Sequence, residues 1–101
     1  MDAKLNGAYI HYLFQAMLAL ETEEECRRFF EDLCTVPELK AMAQRMQVAR
    51  MLDERWVYTD IVEATGASTA TISRVNRSLH YGAEGYHLIL DRLKKQTSED
   101  K

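Results

Sequence analysis

Apolar residues recur at helical spacing almost from one end of this sequence to the other, and nothing else in it limits the fold as much. From Leu5 to Leu20 a stripe runs through Tyr9, Ile10, Leu13, Phe14, Met17 and Leu18, at the i, i+3, i+4, i+7 spacing of one helix face. Strand-like alternation is absent, and breakers are few: four glycines and one proline. These breakers, with the capping signals between stripes, divide the chain into six helices. Thr22 with Glu25 fits a capping box, opening a second helix that runs to about Leu33 with Cys26, Phe29, Phe30, Leu33 and Cys34 inward. Thr35-Val36-Pro37 ends it, because proline disfavours helix in the residue before it and suits a helix's first turn. A third helix follows from about Pro37 to Glu54, with Leu39, Met42, Ala43, Met46, Val48, Ala49 and Leu52 apolar. The expected class is therefore all-α, as one domain: N-terminal helices over about 5–54, a helix-turn-helix over about 59–79, a C-terminal helix over about 84–95 and a frayed tail at 96–101.

Size and composition agree with a soluble domain. A chain of 101 residues has room for one core. With 47% apolar and 29% charged residues, it is not disordered by composition. No run approaches the roughly 18 apolar residues of a membrane span. The start is neither basic nor followed by an apolar segment, so a secretory signal is not expected and the cytoplasm is the expected compartment. Cys26 and Cys34, eight residues apart on one helix, would lie about 12 Å apart along its axis, too far for a disulfide. His11, His80 and His87 are scattered and suggest no metal site. No phosphate loop, nucleophile–base pair or paired carboxylate stands out, so neither catalysis nor a cofactor is expected. The methionines read as core filler, Glu23–Glu25 as a solvated helix start, and Trp56 as a packing anchor at a helix junction.

Net charge is −3, but the charge is unevenly spread. The first 35 residues are rich in acids, whereas residues 66–83 hold Arg74 and Arg77 and no acid. A local basic face on an acidic body suits a polyanion bound through one surface. That window lies in a recognisable arrangement. Thr59 is a plausible N-cap for a short helix with Ile61, Val62 and Thr65 inside. Gly66 ends this helix with the left-handed turn that glycine tolerates. Ser68 then caps a helix over 69–79 whose inner stripe is Ile72, Val75 and Leu79. The outer side offers what a helix in a major groove requires. Thr69 and Ala70 are small enough for close approach; Thr69, Thr71 and Ser73 carry hydroxyls; Arg74 and Arg77 bring cations for phosphate or guanine. The helix N-terminus at Ser68 itself favours phosphate. His80 to Gly85 reads as a turn, and the last helix buries Tyr86, Leu88, Ile89, Leu90 and Leu93.

The run "TGASTATISRVNRSL" closely resembles the helix-turn-helix of the tryptophan repressor family, whose members show G-A-x-x-A-T-I-[ST]-R here. This chain supplies Gly66, Ala67, Ala70, Thr71, Ile72, Ser73 and Arg74, then Ser78 and Leu79. "FFEDLCTVPELKAMAQRMQVARML" resembles the family's central helices, and the likeness spans most of residues 10–95, nearest to the YerC/YecD group. It implies a six-helix fold and an obligate intertwined homodimer. Two recognition helices roughly 34 Å apart would then read a near-palindromic operator in double-stranded DNA, and the function would be transcriptional regulation, in the sense of a repressor. The dimer agrees with the residues themselves, because the first two helices carry more apolar surface than a lone short chain can cover.

The resemblance also implies a small-molecule pocket beside the recognition helix, matching Arg45, Thr71, Arg74 and Ser78. Tryptophan does not fit that implication. The family's tryptophan-binding repressor has glycine just after the helix arginine, whereas this chain has Val75, whose branched side chain would fill the indole's space. Arg74 keeps two readings, as a phosphate contact or as part of a ligand pocket or internal salt bridge. A rival reading of the whole chain is a helical dimeric interaction module that retains the helix-turn-helix fold without specific DNA binding. The acids of the first two helices and the mere two arginines of the recognition helix favour it.

Overall fold

The computed structural model describes residues 3–99, all of whose regular structure is helical. Six helices follow in order: α1 (Ala3–Leu18), α2 (Glu23–Leu33), α3 (Val36–Asp53), α4 (Tyr58–Thr65), α5 (Thr69–Tyr81) and α6 (Gly85–Glu99). The chain divides into two compact units at Leu39–Lys40, inside α3.

The first unit is held locally by its helix caps. Thr22 Oγ1 accepts from the amide of Glu25 at 3.1 Å, while the Glu25 carboxylate reaches one residue further back, to the amide of Glu21 at 2.8 Å. Arg27 bridges Glu24 and Glu31 along the exposed side of α2. At the α2–α3 junction the proline is only part of the punctuation. Thr35 and Glu38 form a reciprocal capping box, with Thr35 N donating to Glu38 Oε1 at 2.8 Å and Glu38 N to Thr35 Oγ1 at 3.2 Å. Thr-x-x-Glu is legible in the sequence as the cap of α3, which begins at Val36, one residue before the expected start. Among the unit's described side chains none is buried. Phe14 is 55% exposed and Leu18 86%, and Leu33, expected inward, is also exposed.

The second unit contains the buried core. Val48, Ala49 and Met51 of α3, Ile61 of α4, Ala67 of the turn, Ile72, Val75 and Leu79 of α5, and Leu90 of α6 close together. Burying a side chain of this size contributes about 1.5–3 kcal/mol, so Val48, Ile61, Ile72 and Val75, the largest of those fully enclosed, dominate the unit's stability. A 2.6 Å ion pair from Lys94 of α6 to Asp53 at the end of α3 adds a tie at the surface.

Several expectations are corrected here. The short helix α4 starts at Tyr58 with Val57 as an N-cap that makes no side-chain bond, so Thr59 lies inside the helix and is not its cap. The fifth helix continues through His80 and Tyr81, past the expected end at 79, because nothing before Gly82 breaks it. Among the described side chains of α6 only Leu90 is buried, whereas Leu88, Ile89 and Leu93 stand about half exposed. A hydrophobic stripe records which face avoids water, not which body covers it. The helix also runs on to Glu99, through residues 96–99 assigned to a frayed tail. No glycine or proline stops it there, and Thr97 Oγ1 bonds back to the Leu93 carbonyl at 3.1 Å; the last two residues of that tail lie outside the described range. Trp56 is 39% exposed and acts less as a packing anchor than as a donor, from Nε1 to the Glu54 carboxylate at 3.2 Å.

Candidate nucleic-acid interface

Helices α4 and α5 pack on each other around a turn of three residues, each with a physical task. Gly66 closes α4 at φ 73°, ψ 5°, its amide donating to the Val62 carbonyl at 2.8 Å. An L-residue pays a steric penalty in this left-handed region, whereas glycine does not. Ala67 is buried beneath the turn. Ser68 is the N-cap of α5: its Oγ accepts from the Thr71 amide at 3.1 Å and donates to Thr71 Oγ1 at 3.1 Å. Thr65, just upstream, fastens the turn from within, donating to the Ile61 carbonyl at 2.7 Å and accepting from the Ala67 amide at 3.1 Å. The Gln44 amide holds the Thr65 carbonyl from α3 at 3.1 Å. Sequence reasoning missed Gln44, because a contact over 21 positions leaves no local pattern, and took Thr65 only as an inner side chain although its fastening bonds reach just four residues back and two forward.

With the inner stripe of α5 locked into the core, its outer side is turned to solvent. Ser68, Thr69, Ala70, Ser73, Arg74 and Arg77 are all exposed. Thr71 is half-buried, and both its amide and its hydroxyl face Ser68, so it serves the cap and has less to offer a ligand than the others. Neither Arg74 nor Arg77 enters an ion pair among the described residues, and the internal salt bridge considered for Arg74 is not among those formed. Two uncompensated guanidinium groups thus share one helix with no acid.

The residues matched to a ligand pocket are placed less coherently. Arg45, Arg74 and Ser78 are exposed and Thr71 half-buried. Ser78 lines two shallow hollows, one with Arg77, Tyr81 and Gly82 and another with Gly82, Ala83, Gly85 and Tyr86; neither takes in Arg45, Thr71 or Arg74. Val75 is 2% exposed within the core, in keeping with an inward side chain where an indole would need space. Among the described residues no group of three or more His, Cys, Asp or Glu side chains is placed to hold a metal ion, and no helix is long and apolar enough to cross a membrane.

Comparison with known proteins agrees with this geometry. The chain is 52% identical over 96 residues to the uncharacterized protein YerC of Bacillus subtilis (strain 168), covering 95% of this chain and 92% of that one. A crystal structure described as a candidate Trp repressor from Staphylococcus aureus superposes with a TM-score of 0.86 at 53% identity, covering 90% of this chain and 91% of the other. A TrpR-like protein from Eubacterium eligens ATCC 27750 gives the same TM-score, 0.86, at 52% identity, over 92% of this chain and 96% of that one. The family model of the Trp repressor protein matches residues 8–94, and the chain belongs to that family of non-enzymatic, helix-turn-helix DNA-binding regulators.

Proposed function

We propose that this protein is a homodimeric, sequence-specific transcriptional repressor that reads a near-palindromic operator by placing α5 in the major groove. The observation that carries the reading is the outer side of α5: capped by Ser68, exposed, free of acid, and bearing two unpaired arginines beside small and hydroxyl side chains. Thr69, Ala70 and Ser73 lie nearest the base edges; Ser68 and the helix N-terminus face phosphate; Arg74 and Arg77 supply the cations. The apolar side chains left open on α1 and on α6 support a second copy of the chain as their cover, since apolar surface of that extent is costly in water. An effector other than tryptophan is compatible with Val75 in the core.

Selection of duplexes from a random pool tests the reading. Enrichment of a near-palindrome with half-sites one helical turn apart is the expected result. A folded dimer that enriches nothing even at low salt would instead establish the interaction-module alternative, which draws its support from the acids of α2.

A further inference from the structure

The structure joins the recognition residues Ser73 and Arg77 to further groups, among them Tyr58 from α4, in one hollow. A shallow hollow is lined by Tyr58 from the first turn of α4 and by Ser73, Asn76, Arg77, His80 and Tyr81 from α5. The five α5 residues are spaced i, i+3, i+4, i+7, i+8, which is one continuous helix face. It is contiguous with Thr69 and Ala70 and roughly opposite the buried stripe. The chemistry is uniform. The lining holds a guanidinium, an imidazole, an amide and three hydroxyls, and no carboxylate; Asp60, the acid of α4's first turn, is exposed and is not part of it.

Tyr81 is 85% exposed, and among the described residues neither the Tyr58 nor the Tyr81 hydroxyl makes a hydrogen bond. His80 Nδ1–H donates to the Asn76 carbonyl at 2.9 Å, so Nε2 of the neutral ring is an acceptor and is not counted among the phosphate donors. We propose that this hollow seats one phosphate of the DNA backbone in each half-site. Arg77 is its charged donor, the Tyr58 and Tyr81 hydroxyls are neutral donors, and Arg74, outside the hollow, reads bases. The inference rests on the DNA-binding reading above and divides the work of its two arginines.

The test replaces each phosphate of the selected duplex, one at a time, by an uncharged methylphosphonate. At one position per half-site wild-type affinity should fall about tenfold, the scale of a charge-assisted contact. Arg77→Gln should bind the modified and unmodified duplexes almost equally, the signature of coupled partners, and should lower the salt slope by about one unit. Tyr81→Phe and Tyr58→Phe should each weaken binding about three- to tenfold with the slope unchanged; loss of one exposed oxygen does not threaten folding. Arg74→Gln should stay fully sensitive to that phosphate. If the wild type binds a duplex and no phosphate couples to Arg77, or the coupling belongs to Arg74, the seat is refuted and the DNA reading survives. If the wild type binds no duplex, both fall.

Discussion

Helices α1 and α5 are both largely exposed in the single chain, yet their exposed surfaces are chemically opposite. The former shows Tyr9, Tyr12, Phe14 and Leu18 to solvent; the latter shows Thr69, Ser73, Arg74 and Arg77. Exposure alone therefore does not distinguish a surface meant for water from one awaiting an apolar cover. Side-chain chemistry does. Apolar surface gains about 25 cal/mol per Å² on being covered, whereas a guanidinium is stable in water and gains from a polyanion through counterion release. On the proposed reading one helix meets another protein surface and the other nucleic acid, so damage to α5 should spare the dimer whereas damage to α1 should take DNA binding with it.

The largest expected effect comes from placing a charge on the apolar side. Phe14→Glu should abolish dimerisation in sedimentation equilibrium and operator binding with it, because two half-sites need two linked recognition helices. A variant that remains a folded dimer would break the comparison. On the polar side, Ala70→Glu should abolish duplex binding by setting a carboxylate against the groove while leaving the dimer intact; retained affinity would overturn the docking of α5. Turning to the inner face of the same helix, Ile72→Ala removes a fully buried side chain and should cost about 2–5 kcal/mol in urea unfolding.

Smaller effects separate two helix ends that share a left-handed φ but carry different residues. Gly66 and Arg55 both adopt left-handed backbone, at φ 73° and 69°. Arg55 closes α3 with its amide on the Leu52 carbonyl and the next amide, of Trp56, on Met51, each at 3.0 Å, the paired bonds of a Schellman ending. No side chain crowds Gly66, so Gly66→Ala should lose only the backbone term, about 1–2 kcal/mol. Arg55→Gly should gain up to about 1 kcal/mol from relief of the same term. Thermal unfolding of both variants checks the pair, and equal signs would refute the strain account.

The smallest effect is a pH dependence in the first unit. The Thr35 backbone N–H, followed by the Thr35 side chain, holds the Glu38 carboxyl below the ordinary glutamate range. A carboxylate with a lowered folded-state pKa stabilises the fold above its unfolded value, and that contribution is lost as pH falls through the folded value. Glu38→Gln should flatten the acid limb of the stability curve and leave stability above neutrality parallel to wild type; an unchanged acid limb would remove the capping box from the account.

Much of the candidate site was legible because it is local. Gly66, the Ser68 cap and the Ile72–Val75–Leu79 stripe involve residues within a few positions of each other, where backbone sterics and helical period act directly. Val75 could be placed inward from its spacing alone. The early end expected for α5 shows the other side of this: with no breaker at His80 or Tyr81, only Gly82 stops the helix. A Cβ there would run into the Ser78 carbonyl, a clash no composition rule reveals.

By itself, then, the sequence determined six helices, the caps at Thr22 and Ser68 and the inner stripe of α5, since these follow from side-chain size, capping chemistry and helical period. Tertiary structure decided the rest. It placed Gln44 on the Thr65 carbonyl, brought Tyr58 to the far end of α5 beside Arg77 and Tyr81, and left Leu88, Ile89 and Leu93 uncovered while burying Leu90. Such outcomes depend on the angle and distance at which distant segments meet. Those are set by packing the whole core at once, a condition that no local stretch of chain encodes.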